Sequence, residues 1–278
     1  MSLMVVGLAL FAAILHAGWN AFLRTGSDRL WTVTIMSFSS TLVAIPVALC
    51  HALPVAAAWP YILLSAGLQV GYSVFLVAAY KFGELGQVYP IVRGTVPVLV
   101  TAGGFVLRGE QVSGLQLLGV ALVAGGIMSL SLGKRRAAAM SIIYAVATGT
   151  IIAGYATVDA IGVRATGNAG AYTAWVLLIY GVLMPIAFTL WRGRLVVDFR
   201  ARAFVTALAG GIVALIAYGV VVAAFALGPA GPITAIRETS VVFAALIGRL
   251  FLGETLTPRR ILSCMVVAVG AICLGYQA

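Results

Sequence analysis

The chain has 278 residues, of which 63% are hydrophobic and 9% charged, with a formal net charge of +10. A soluble domain carries roughly 25% charged residues, so this composition excludes a water-covered globule and makes lipid the solvent. The basic residues sit in short breaks between apolar runs, which is the pattern of juxtamembrane anchors and not of a nucleic-acid surface.

A membrane span needs about 20 mostly apolar residues. Ten segments meet that need, near 3–23, 31–51, 59–80, 87–107, 113–132, 138–160, 170–191, 203–226, 231–251 and 257–276. They predict an all-α integral membrane protein of ten transmembrane helices. No basic stretch precedes the first run, which carries His16 and Asn20, so it is expected to be a retained span and not a cleaved signal. His16 and Asn20 are four apart and share a face, with Trp19 beside them. Lipid would not solvate that face, so it points inward. It serves there either as polar glue between helices or as pathway lining. Histidine also titrates near neutrality, which makes His16 a candidate for proton coupling.

On span three, Gln69 and Tyr72 share a face. Span four carries Arg93, with Tyr89 on the same face and Pro90 and Pro97 on either side. An intramembrane arginine is costly and marks a functional site by default. Arg93 either braces a broken helix against backbone carbonyls or offers a bidentate fork to a carboxylate or phosphate. Glu110 falls in a turn just outside the hydrocarbon and reads as structural, as do Lys81 and Glu84 as solvated loop charges. Ser113 followed by Gln116 predicts a capping box opening span five. On span six, Tyr155 and Asp159 are four apart. Asp159 stands near the predicted span end and is expected at the interface, with proton coupling as the alternative. Tyr218 on span eight is a weaker candidate.

Span nine is approached through Gly228-Pro229-Ala230-Gly231-Pro232 and carries Arg237 and Glu238. Neighbours on a helix point about 100° apart, so these two need not pair. A carboxyl buried in lipid resists ionisation, which makes Glu238 a candidate proton carrier; an ion pair with another span is the alternative. Thr257-Pro258 predicts an N-cap with proline at the first helical position, opening span ten. Cys50, Cys264 and Cys273 show no metal-ligand or disulfide spacing. No cofactor is expected.

Two stretches repeat. Arg93, Thr95, Val98, Gly104, Gly109-Glu110, Leu118, Val123-Ala124 and Gly126 recur as Arg237, Thr239, Val242, Gly248, Gly253-Glu254, Leu262, Val267-Ala268 and Gly270, all at one offset (237 − 93 = 144). Trp31 and Gly67 match Trp175 and Gly211 at the same offset. Earlier, Trp19 aligns with Tyr155 at an offset of 136, so the second copy gained about eight residues around 160–170. The predicted units are residues 1–133 and 138–278, each with five spans. An odd number of spans inverts the second copy, the inverted-repeat architecture frequent among secondary transporters. Arg93 and Arg237 are then expected toward opposite mouths of one pathway, each about 9 Å below its membrane face at 1.5 Å per residue.

One set of loops carries Arg24, Arg29, Lys81, Lys134, Arg135, Arg136, Arg192, Arg194, Arg200, Arg202, Arg259 and Arg260, with Arg249 close by; the other carries only Arg108 and Arg164. The positive-inside rule puts the first set in the cytoplasm and both termini outside.

The stretches GTVPVLVTAGGFVLRGEQVSGLQLLGVALVAGGI and RETSVVFAALIGRLFLGETLTPRRILSCMVVAVGAI, in two five-span halves that each carry a Gly-Glu turn and a glycine-bearing last span, resemble the EamA type of the drug/metabolite transporter superfamily. The resemblance covers essentially the whole chain. It implies a bacterial cell-membrane transporter, monomeric or homodimeric, of a small molecule. Ten-span members are drawn with both termini in the cytoplasm, so the loop charges here point the other way.

The sequence thus leads to a secondary transporter working by alternating access on a small anionic or zwitterionic metabolite, with a proton or counter-substrate as the driving partner. An exporter of amphipathic drug-like compounds is the alternative. An intramembrane enzyme would need paired carboxylates, HExxH or GxSxG, and the sequence has none of these. A scaffold would need an appended domain, and the loops are short.

Overall fold

In lipid no water satisfies the backbone, so a spanning chain must close its own hydrogen bonds as helix. The computed structural model describes residues 1–25, 28–82, 85–131, 139–251 and 256–276; the side chains of residues 20–25, 77–82, 85–87 and 251 lie outside that description. Among the described residues the structure is all-helical. The helices are α1 (Leu3–Thr25), α2 (Arg29–Leu49), α3 (Trp59–Phe82), α4 (Leu85–Arg108), α5 (Gly114–Ser129), α6 (Ala139–Thr166), α7 (Ala169–Arg192), α8 (Arg202–Leu227), α9 (Ala230–Arg237), α10 (Ser240–Phe251) and α11 (Pro258–Gly275). A 3-10 turn, Ala56–Ala58, leads into α3. Among the described residues eight segments are long and apolar enough to cross a membrane, and Leu3–Trp19 and Gly114–Ser129 are two shorter apolar stretches. Large apolar side chains face outward, with Leu3 89%, Leu190 84% and Leu250 73% exposed. Water would penalise that surface, whereas lipid tails cover it.

The predicted caps are present. Ser113 Oγ accepts from the Gln116 N–H while Gln116 Oε1 accepts from the Ser113 N–H. Thr257 accepts from the Arg260 N–H, with Pro258 opening α11. Asp28 caps α2 by accepting from Leu30 and Trp31.

The ninth span departs from expectation. It is not one helix but two, α9 and α10, separated at Glu238 and Thr239. The break falls after Arg237, away from Pro229 and Pro232. There the ladder tightens, with Glu238 donating to Thr234 and Ala235, Thr239 to Ile236, and Val241 to Glu238. The segment is also the most enclosed of the candidate spans, so protein and not lipid surrounds the irregular backbone, as the membrane requires.

The helices form several extensive pairs. α1 packs on α8 and α6 on α3; α4 packs on α6, while α9 and α10 pack on α1; α2 meets α7, and α5 meets α11. The α5–α11 contact is a close backbone approach. A Cβ on Gly119 would stand 2.8 Å from the Gly270 carbonyl oxygen, and one on Gly270 would stand 2.9 Å from that of Gly119. The Ser129 and Ser263 hydroxyls bond across the same interface at 2.7 Å. Small residues at such a contact let dispersion substitute for the missing hydrophobic drive between helices in lipid.

Candidate functional site

At the centre of the bundle lies a cavity of about 130 Å³. Engineered cavities of roughly 150 Å³ admit a benzene-sized molecule, so this one is on the scale of a small metabolite. Its walls include His16 and Trp19 from α1, Gln69 and Tyr72 from α3, Arg93 from α4, Tyr155 from α6, Tyr218 from α8 and Arg237 from α9. All eight were candidates from sequence. Tyr89 does not line the cavity; its ring lies under the Arg93 guanidinium, 5.2 Å from its centroid, a cation–π support. Asn20 is within α1, but its side chain lies outside the described residues, as do Lys81, Glu84 and Glu254.

The two arginines do not stand apart toward opposite mouths. Arg237 Nη2 bonds Glu238 Oε1 at 2.9 Å, and Arg93 Nη1 reaches the same oxygen at 3.4 Å. All three are buried, at 4% for Arg93, 7% for Arg237 and 0% for Glu238. Sequence neighbours pair here, against the helical expectation, because α9 ends at Arg237 and Glu238 is its C-cap. Arginine's long stem then folds back onto the carboxylate. Among the described residues the Arg237 Nε–H has no hydrogen-bond partner, and neither does Glu238 Oε2. Pro97 removes the amide that would bond the Arg93 carbonyl four residues back, yet α4 runs unbroken through Pro90 and Pro97.

On the α1 side, the Trp19 indole N–H donates to His16 Nδ1 at 3.0 Å, the rings meeting edge-on. That leaves the ring proton of a neutral imidazole on Nε2. Tyr72 and Tyr155 stack obliquely at 6.3 Å.

Asp159 lies within α6, which runs on to Thr166, and is buried in the protein at 1% exposure. Its Oδ1 accepts from the Tyr172 hydroxyl at 2.9 Å and its Oδ2 from the Tyr218 hydroxyl at 3.0 Å. Tyr218 in turn accepts from Gln69 Nε2 at 3.3 Å. Glu110 has the structural place expected of it. It accepts from the Ala230 N–H at 3.1 Å, capping α9, and pairs with Arg108 at 2.8 Å and Arg164 at 3.7 Å. Arg164 also donates to the Phe225 and Gly228 carbonyls.

Sequence reasoning passed over Tyr180 and Ser40, which also line the cavity, and Tyr172. The run Thr32, Thr34, Ser37, Ser39, Ser40 on α2, all buried, was the available signal for that helix. The two tyrosines sit in an otherwise apolar span that offers no contrast.

Residues 139–276 match the model of the EamA-like transporter family. A solved structure described only as "Crystal structure of protein" shares the fold, with a TM-score of 0.77 and 18% identity over 97% of this chain and 94% of that one. No curated protein matches the chain.

Proposed function

The chain belongs to the EamA-like transporter family, a multi-pass membrane transporter of the drug/metabolite type, and from that premise we propose that it carries a small anionic or zwitterionic metabolite, such as an amino acid or organic acid, through the central cavity. One observation carries this reading: two buried guanidinium groups share a single carboxylate. The cluster holds two positive charges and one negative, and a monoanion would balance it. Arg237 Nε–H, buried and without a partner among the described residues, is the donor that would meet a substrate carboxylate. Guanidinium matches that shape with two parallel bonds. The hydroxyls of Tyr155 and Tyr218 and the Gln69 carbonyl offer acceptors for an ammonium group.

The transport cycle in this reading is alternating access between two inverted repeats, residues 1–133 and 138–278. The 144-residue offset and the matching pairs α1 on α8 and α6 on α3 support it. The loop charges support a cell-membrane orientation with both termini outside the cytoplasm.

Uptake into proteoliposomes of radiolabelled alanine and succinate tests the substrate class. Flux lost in correctly folded Arg93→Ala and Arg237→Ala variants supports it, and normal flux in both removes the arginine site. The aromatic wall of Trp19, Tyr72, Tyr155, Tyr180 and Tyr218 favours a second reading, export of amphipathic compounds. In that case a flat apolar dye would be carried without regard to either arginine.

A further inference from the structure

Behind the cavity wall stands a second buried acid that the arginine site does not use. Glu238 has two cationic partners, whereas Asp159 forms no ion pair among the described residues. Its Oδ2 touches Tyr218, which also lines the cavity. A carboxylate held away from water without a cation is expensive, and the hydroxyls of Tyr172, Tyr218 and Ser65 compensate only part of that cost. The groups facing Asp159 can be named helix by helix. α3 brings Ser65 and Gln69, which bond each other at 3.1 Å. α7 brings Tyr172 and α8 brings Tyr218. Tyr155 stands one turn away on α6 itself, and Arg237 of α9 acts on Asp159 through space. Arg108 of α4 donates to the Ala160 carbonyl at 3.3 Å but is paired with Glu110. The 3-10 turn contributes only alanines.

A tyrosine hydroxyl has one proton to donate and two lone pairs. With Asp159 ionised, Tyr218 gives its proton to Oδ2 and accepts from Gln69. With Asp159 protonated, the Oδ2–H needs an acceptor, and Tyr218 is the hydroxyl in place. The tyrosine's own proton must then turn toward the cavity.

Resting on the transporter reading, we propose that Asp159 is the proton-coupling site and that Tyr218 is the relay joining it to the cavity. A proton from cavity water bonds to the Tyr218 oxygen while the phenolic O–H breaks and its proton forms a new O–H bond at Asp159 Oδ2. Tyr218 stays neutral and Asp159 passes from charge −1 to 0. Arg237 then loses a through-space counter-charge and holds an anionic substrate more tightly. By linkage the anion favours the proton equally, so the two travel in the same direction.

Infrared difference spectroscopy of the purified protein in lipid, titrated with acid, tests this without any substrate. A protonated-carboxyl C=O band is expected on acidification of the wild type. It should disappear in Asp159→Asn, persist at a displaced position in Asp159→Glu, and shift in Tyr218→Phe, with thermal melting confirming that each variant is folded. No titrating band in the wild type, or an undiminished band in folded Asp159→Asn, overturns the proposal. In vesicles, an inward proton gradient should accelerate uptake of radiolabelled alanine or succinate in the wild type but not in Asp159→Asn, which should retain counterflow. Gradient stimulation surviving in Asp159→Asn overturns the proposal, and so does loss of counterflow in the folded variant. If neither probe moves under any gradient, it is the transport reading that fails, and the infrared result still locates the proton.

Discussion

Arg93 and Arg237 occupy the same place in two copies of one sequence pattern, and their guanidinium groups meet on one oxygen, Glu238 Oε1. The acid they share has no counterpart in the first copy, where Gly94 stands. The recurring pattern thus places two cations at one offset, and Glu238 adds the anion they share. The result is an asymmetric cluster with one unbalanced positive charge beside the cavity.

Glu238→Gln leaves two buried guanidinium groups close together with no anion between them. Removing one partner of a buried ion pair costs about 3–5 kcal/mol. Thermal melting of the purified variant is expected to fall well below the wild type. An unchanged melting temperature would mean that the cluster is solvated and not a buried ion triad.

Arg237→Lys keeps the charge but loses the fork and its Nε–H. A hydrogen bond to a charged group contributes about 1.5–3 kcal/mol, which corresponds to a roughly 10- to 150-fold weaker hold on a carboxylate. Concentration dependence of alanine uptake should show the loss as a raised half-saturation. Equal half-saturation in the two proteins would show that substrate does not meet this guanidinium.

Gly119→Ala would place a methyl 2.7 Å from Leu274 and 2.8 Å from the Gly270 carbonyl oxygen. Overpacking of this kind costs about 1–3 kcal/mol. Gly67→Ala, where nothing lies within 4 Å, is the matched control. The first should lower the melting temperature and the second should not; equal behaviour would remove the close α5–α11 contact.

Glu110→Ala removes the side chain that caps α9 and pairs with Arg108 and Arg164. Loss of a cap alone costs about 0.5–2 kcal/mol. A cysteine placed at Ala230 should react faster with a soluble maleimide in this background than beside an intact Glu110. An unchanged rate would mean that Glu110 does not hold this end of α9.

The spans were legible because lipid demands apolar runs of fixed length, and the caps because Ser113-Gln116 and Thr257-Pro258 declare themselves locally. Much of the cavity wall was legible from polar or aromatic side chains that interrupt such a run, as at His16, Gln69 and Arg93. The break after Arg237 was not, since no proline or glycine lies at 238 or 239; a tertiary ion cluster, not local propensity, accompanies it. The burial of Asp159 was not legible because residues 161–169 read as loop, whereas α6 continues through Thr166. Tyr172 and Tyr180 gain their roles only from what packs against them.

The central claim is that the arginine cluster receives a carboxylate. Its most direct test compares the stabilisation of the protein by alanine with that by alaninamide, which keeps the ammonium and the size but lacks the anion. A ligand at 100 times its dissociation constant stabilises the folded state by about 2.7 kcal/mol, enough to raise the melting temperature measurably. The account predicts a shift with alanine that is absent with alaninamide and lost in Arg237→Ala. Equal shifts with both compounds, retained in Arg237→Ala, would contradict it.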